Sequence, residues 1–218
     1  MTVKEFTKAW PILKKQVRTL QLPWLEAFAA LDRDPFKVLI SCILSLRTQD
    51  KTTGAASERL FKLASTPEAL SRLSIKTIEK AIYPVGFYRV KAGTIKDISC
   101  EIIRQHGSQV PDTLEGLLTL KGVGRKTANL VLTRGFNQYG ICVDTHVHRI
   151  TNRWGLVSTK SPDKTELALR ETLPKRYWKD LNGTLVAFGQ SICQPLSPLC
   201  SRCKISSLCD QRGVCRSR

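Results

Sequence analysis

Two groups able to do covalent chemistry, Lys126 and Asp144, stand eighteen residues apart. Lys126 follows Leu120-Lys121-Gly122-Val123-Gly124-Arg125, and Asp144 sits within Val143-Asp144-Thr145-His146. Apolar Leu117 and Leu120 lead into the glycines, and Ala128, Leu130, Val131 and Leu132 follow them. This pattern predicts a helix, a glycine hairpin and a second helix. Both glycines permit positive φ and let a partner come close to the backbone. The second helix opens with N–H groups that have no partner inside the helix, at the positive end of its dipole, which suits a phosphate. An amine in that first turn and a carboxylate downstream suggest chemistry on a nucleic-acid sugar. The glycines taken alone also fit a plain αα-hairpin. They do not form a Walker loop, because the upstream glycine is missing and no Gly-Lys-Ser/Thr follows.

A second constellation lies near the C-terminus. Cys193, Cys200, Cys203 and Cys209 read C-x6-C-x2-C-x5-C, with Pro195 and Pro198 bending the first loop. Four thiolates this close can surround one centre, either tetrahedral zinc or an iron–sulfur cluster. Zinc ribbons usually carry two C-x2-C knuckles, and this loop has one. Cys215 lies outside the spacing, and Cys42, Cys100 and Cys142 sit in apolar surroundings as expected of small core residues.

The elements that must position these groups read as helices. Phe6, Trp10, Leu13 and Val17 recur at helical spacing over residues 3–18, and Leu22-Pro23-Trp24 breaks that helix. Asp34-Pro35 is a helix start, and Phe36–Leu44 is apolar nearly all round, which predicts a buried central helix. Asp50 is placed to cap the next helix, through Leu63, and Thr66-Pro67 and Ser74 open two more. A helix from about Val90 to Gln105 ends at Gly107, and Pro111-Asp112-Thr113 opens the first hairpin helix. Asp144 precedes a helix with Val147, Ile150 and Trp154 on one face and His146, Arg149 and Arg153 on another, so an N-cap role is expected of it as well. Ser161-Pro162 starts a helix ended by Pro174, and Trp178–Ser191 forms the last long one. Strand-type alternation is nearly absent, so the expectation is an all-α protein of about ten helices.

Lys plus Arg number 35 against 18 Asp plus Glu, a net charge of +17, spread over the helical segments rather than held in a tail. Such a balance favours nucleic acid as partner, with an acidic membrane surface as the lesser alternative. No apolar run approaches the ~18 residues of a membrane span, and the N-terminus lacks a secretory pattern. The expectation is an intracellular, cytoplasmic protein, nucleoid-associated if the source is prokaryotic, in which clustered cysteines are metal ligands rather than disulfides.

Read together, Leu-Lys-Gly-Val-Gly-Arg-Lys-Thr-Ala-Asn (120–129), Val-Asp-Thr-His-Val-His-Arg (143–149) and the cysteine spacing resemble the endonuclease III family of helix-hairpin-helix DNA glycosylases. The resemblance covers most of the chain. It implies two helical domains flanking a DNA-binding cleft: residues 28–138 as a six-helix domain with the hairpin, and 1–27 with 139–218 as a discontinuous domain carrying the loop 193–209. It also implies a 4Fe–4S cluster on Cys193, Cys200, Cys203 and Cys209, with Arg202 and Lys204 presented to phosphates. The implied activity is that of a monomeric, bifunctional DNA glycosylase and apurinic/apyrimidinic lyase. Its substrate is duplex DNA carrying oxidised pyrimidines or abasic sites. Lys126 is the Schiff-base nucleophile, Asp144 the charge that stabilises the sugar cation, and β-elimination cuts the strand. Gly122, Val123, Gly124 and Arg125 are the implied phosphate clamp.

By the same resemblance, Arg47 and Phe87 stand in the two loops (45–50 and 86–89) expected to fill the void left by a flipped base. The family typically has glutamine at the position of Arg47. Tyr88, Lys91 and His146 are further candidates for DNA contact, and His148 for the site. A helix start beside Arg125 depresses the Lys126 pKa and a nearby carboxylate raises it, so sequence does not sign the net shift. A mismatch-specific glycosylase and a non-catalytic, redox-sensing DNA-binding protein are the competing readings; the presence of Lys126 and Asp144 disfavours both.

Overall fold

In a computed structural model the chain is described over residues 1–20 and 23–218. Leu22, assigned to the break after the first helix, lies outside the described residues. No strand occurs among the described residues, and the α-helices are α1 (Val3–Val17), α2 (Trp24–Leu31), α3 (Pro35–Ser45), α4 (Asp50–Leu63), α5 (Pro67–Arg72), α6 (Ile75–Ile82), α7 (Tyr88–His106), α8 (Leu114–Thr119), α9 (Arg125–Arg134), α10 (Thr145–Arg153), α11 (Pro162–Thr172) and α12 (Trp178–Ser191). The chain is therefore all-α. No described helix is long and apolar enough to cross a membrane.

The chain divides into two compact units, Trp24–Gly140 and Met1–Pro23 with Ile141–Arg218. A boundary after residue 27 would cut α2. That helix belongs wholly to the first unit, tied there by the Arg134–Glu26 ion pair at 2.6 Å and by the stacking of Phe28 on Phe61 of α4. The sequence reading left α2 unassigned, because Pro23-Trp24 reads as a break and eight residues give little periodicity.

In the 24–140 unit, α3 is the core. Asp34 Oδ1 caps it through Phe36 and Lys37 N–H, Pro35 fills its first turn, and Val38, Leu39, Ile40, Ile43 and Leu44 are almost wholly buried. Burial of each such side chain is worth about 1.5–3 kcal/mol. Ser74 and Thr113 cap α6 and α8, and Gly107 at φ 56° ends α7. Asp50 departs from expectation. Gln49 is the N-cap position of α4 and makes no side-chain cap, while Asp50 accepts the Trp24 N–H at 3.2 Å. Cys100 is also corrected: it is exposed on the outer face of α7, whereas Cys42 and Cys142 are buried.

The other unit is built on α1, α10, α11 and α12. Phe6, Leu13, Val147, Ile150, Trp154, Leu185 and Phe188 form its centre. Thr2 and Glu5 make a capping box on α1. Gln16 of α1 is buried. It donates to Arg202 O at 2.8 Å and accepts from Lys204 N–H, which fastens α1 to the cysteine loop.

Candidate functional site

The hairpin between α8 and α9 turns at Gly122, whose φ of 82° is the conformation glycine tolerates. A Cβ there would also meet Thr94 Cγ2 at 3.0 Å. Gly124 differs from expectation. Its φ of −96° is ordinary, and a Cβ on it would project into open space. Both glycines are exposed, whereas Val123 is buried and its N–H is bonded to Leu120 O at 3.0 Å. The Val123 side chain thus anchors the hairpin to the core.

Gly124 is the N-cap position of α9 and makes no side-chain cap. Arg125 and Lys126 occupy the first turn, each partly buried, and Thr127, Ala128, Leu130 and Val131 behind them are buried. Burial pushes the Cys42 thiol in α3 up to about 12, and the Lys126 charge pulls it the other way. α9 itself packs against the core helix α3.

The two loops assigned to void filling meet. Arg47 and Phe87 both have left-handed backbones, at φ 52° and 58°. The Arg47 guanidinium carbon lies 5.7 Å from the Phe87 ring centroid. Phe87 is 61% exposed, so its ring is not part of the core. Tyr88 is half-buried and packs edge-on against Tyr83. Lys91, a candidate for DNA contact in the sequence, is corrected. It is buried, its ammonium donates to Leu44 O, Leu46 O and Thr48 Oγ1, and desolvation pulls its pKa down to about 8.

In the other unit Asp144 caps α10. Its Oδ1 accepts from His146 N–H and Val147 N–H, both at 2.9 Å, and Oδ2 takes no part in the cap. Further along α10, Arg149 donates to Cys193 O at 2.8 Å and to His146 Nδ1 at 3.2 Å. Arg153 is buried. It donates to Cys193 Sγ at 3.2 Å, to Gln194 O and to Pro195 O. These two arginines were seen in the sequence only as one polar face. Their i, i+4 spacing marked a shared direction, but not the cysteine loop as its target. His148 is held by Thr165 Oγ1 at 2.7 Å and by Asn152, so it serves the packing of α10 on α11.

Cys193, Cys200, Cys203 and Cys209 line a single cavity with Trp154, Phe188 and Ile192, and Cys215 is exposed outside it. Turns closed by Cys203 N–H to Cys200 O, Ser206 N–H to Cys203 O and Cys209 N–H to Ser206 O set three of the four sulfurs. Gln211 N–H donates to Cys209 Sγ at 3.3 Å. Burial raises the Cys193, Cys203 and Cys209 thiols, Cys203 to about 11. Without a cationic centre they stay protonated at neutral pH, so loading one must release protons. Among the described residues, no three His, Cys, Asp or Glu side chains are grouped as ligands of a single ion.

Comparison with known proteins agrees with this arrangement. Residues 40–175 match the model of the HhH-GPD superfamily base excision DNA repair proteins. Endonuclease III of Thermotoga maritima is 47% identical over 179 residues, which is 82% of this chain and 84% of that one. A solved structure of a trapped endonuclease III–DNA covalent intermediate superposes with a TM-score of 0.85 at 29% identity, covering 97% of each chain. A thermostable thymine-DNA glycosylase gives a TM-score of 0.82 at 26% identity, covering 95% of this chain and 96% of its own. By its family match and by this identity over most of its length, the chain belongs to the HhH-GPD superfamily of base excision DNA repair proteins, in the endonuclease III family.

Proposed function

We infer that this chain is a DNA glycosylase and apurinic/apyrimidinic lyase that removes oxidised pyrimidines from duplex DNA. One observation carries the reading: Lys126 stands in the first turn of α9, directly behind the exposed Gly122 and Gly124. DNA backbone held at the hairpin places the deoxyribose beside an amine. The Lys126 Nζ lone pair attacks C1′, the glycosidic bond breaks with its electrons going to the base, and the proton shed by the newly bonded nitrogen is taken up by the departing base. Ring opening yields a Schiff base to Lys126. Loss of a C2′ proton then expels the 3′ phosphate by β-elimination. Asp144 supplies the negative charge that favours the cationic sugar. The trapped covalent intermediate with DNA of the structurally similar protein supports a covalent route.

Borohydride reduction tests it. Protein and damaged duplex should form a stable covalent adduct, and its absence with active protein would instead favour an enzyme that releases the base by hydrolysis.

The hairpin has its own test, sharpened by the difference between the glycines. Gly124→Ala leaves the fold unstrained, because its Cβ meets nothing within 4 Å. It should nevertheless weaken binding to undamaged duplex by about tenfold, roughly 1.4 kcal/mol, if a phosphate packs against that backbone. Unchanged affinity across a salt titration would remove the hairpin from the interface.

The donor set fits a 4Fe–4S cluster held by Cys193, Cys200, Cys203 and Cys209. The four sulfurs surround one cavity, and N–H donors from Arg153 and Gln211 face two of them. When bound, the cluster supplies four cross-links and negative charge, and the chain's residues shield and orient it. Cys203→Ala should lower bound iron and the melting temperature of its unit, while Cys215→Ala leaves both unchanged. Metal analysis showing stoichiometric zinc and no iron in anaerobically prepared protein would overturn the assignment.

A further inference from the structure

Lys91 stands out once it is removed from the DNA interface. A buried ammonium is costly unless its N–H groups are bonded, and all three of its recorded acceptors belong to residues 44–48. They include carbonyls at the end of α3, where the helix leaves C=O groups unpaired and where a cation is favoured. α3 has no basic residue of its own in its last turn, so α7 provides one.

Thr48 joins this charge to the second loop. Its Oγ1 accepts from Lys91 Nζ at 3.1 Å and from Gly86 N–H at 3.2 Å, and its hydroxyl donates to Leu46 O. The loops approach so closely that a Cβ on Gly86 would lie 2.6 Å from Arg47 O. On the far side, Arg59 of α4 donates to Ala81 O and Tyr83 O, fixing the approach to the second loop. The residues held between these anchors are Arg47 and Phe87, both left-handed, both exposed, and in contact as cation and ring. Strained backbone of this kind persists only where its surroundings over-determine it.

We propose that Lys91 and Thr48 are positioning residues that lock the loops 45–49 and 83–87 into one preformed wedge, so that Arg47 and Phe87 enter the duplex together. The proposal rests on the reading of this chain as a base-flipping glycosylase. A preformed wedge loses no side-chain or loop freedom when the base leaves the stack, so it favours the opened state over the closed one. Lys91 and Thr48 themselves touch no DNA.

The test uses full-length Lys91→Met, Thr48→Val and Phe87→Ala proteins. Two substrates are compared: duplex with thymine glycol opposite adenine, and the same lesion opposite a one-nucleotide gap, where no partner must be displaced. A 2-aminopurine beside the lesion reports unstacking. Lys91→Met and Thr48→Val are expected to slow both the fluorescence rise and single-turnover base release at least tenfold on the paired duplex. On the gapped substrate they should run within about threefold of wild type, and affinity for undamaged duplex should be unchanged.

Equal slowing on both substrates would mark a merely structural role and overturn the proposal. Wild-type rates for Thr48→Val and Lys91→Met with a slow Phe87→Ala would overturn it while leaving the wedge itself intact. A Phe87→Ala protein as fast as wild type on paired duplex would overturn the wedge and the proposal with it. If Lys91→Met does not fold, Thr48→Val decides alone, since it exchanges a hydroxyl for a methyl of similar size.

Discussion

Lys126→Gln is expected to abolish both base release and borohydride trapping, while the protein still folds and binds DNA. The chemistry requires a nitrogen lone pair able to form a C=N bond to C1′, and an amide nitrogen cannot supply one. Folding survives because glutamine matches lysine in helix propensity and Lys126 is only partly buried in the first turn of α9. The buried residues around that turn, Val123, Thr127 and Ala128, are left in place by the substitution. DNA binding survives because Gly122, Gly124 and Arg125 remain. Activity should therefore fall to the detection limit, with the melting temperature within a few degrees of wild type. The measurement is single-turnover base release beside covalent trapping, on a lesion-containing duplex and on a preformed abasic site. Trapping by Lys126→Gln at the wild-type rate would mean that another amine is the nucleophile.

The residues that could be read from sequence are those whose role is set locally. Asp34-Pro35, Ser74, Thr113 and Ser161 each announce a helix within three residues, and each is found capping one. The run Phe36–Leu44 is buried because no polar face exists along it to meet solvent. What escaped the sequence depends on packing partners far along the chain. Lys91 looks like any surface lysine until the end of α3, some 45 residues earlier, is placed against it. Arg153 looks like a polar-face arginine until the loop at Cys193 is folded onto α10. Gly122 and Gly124 look equivalent, yet only Gly122 needs the left-handed conformation. Asp50 carries a good capping side chain that the Trp24 N–H takes instead. Four cysteines at close spacing declare a metal loop without saying which neighbouring donors face the sulfurs, because those donors come from α10 and from Gln211.

Asp144 allows charge and capping to be separated. Its Oδ1 alone holds the His146 and Val147 N–H groups, and the carbonyl oxygen of asparagine can accept the same two bonds. Asp144→Asn should therefore keep α10 at nearly wild-type stability, and with it Arg149 and Arg153, which hold Cys193 and its loop. Asp144→Ala loses the cap and should cost about 1 kcal/mol. Both variants lose the carboxylate charge, so both should slow base release by roughly 100- to 1000-fold, the scale of one preorganised electrostatic group. If capping were the whole role, only the alanine variant would be slow. On a preformed abasic site no base has to be expelled from a sugar that is becoming cationic, so Asp144→Asn should keep a larger share of its lyase rate there. Lys126→Gln gains nothing from that substrate, because the Schiff base is lost on either one. The decisive quantity is the ratio of base-release to abasic-site rates for Asp144→Asn relative to wild type. A ratio near one together with wild-type base release would confine Asp144 to capping, and the sugar cation would need its negative partner elsewhere.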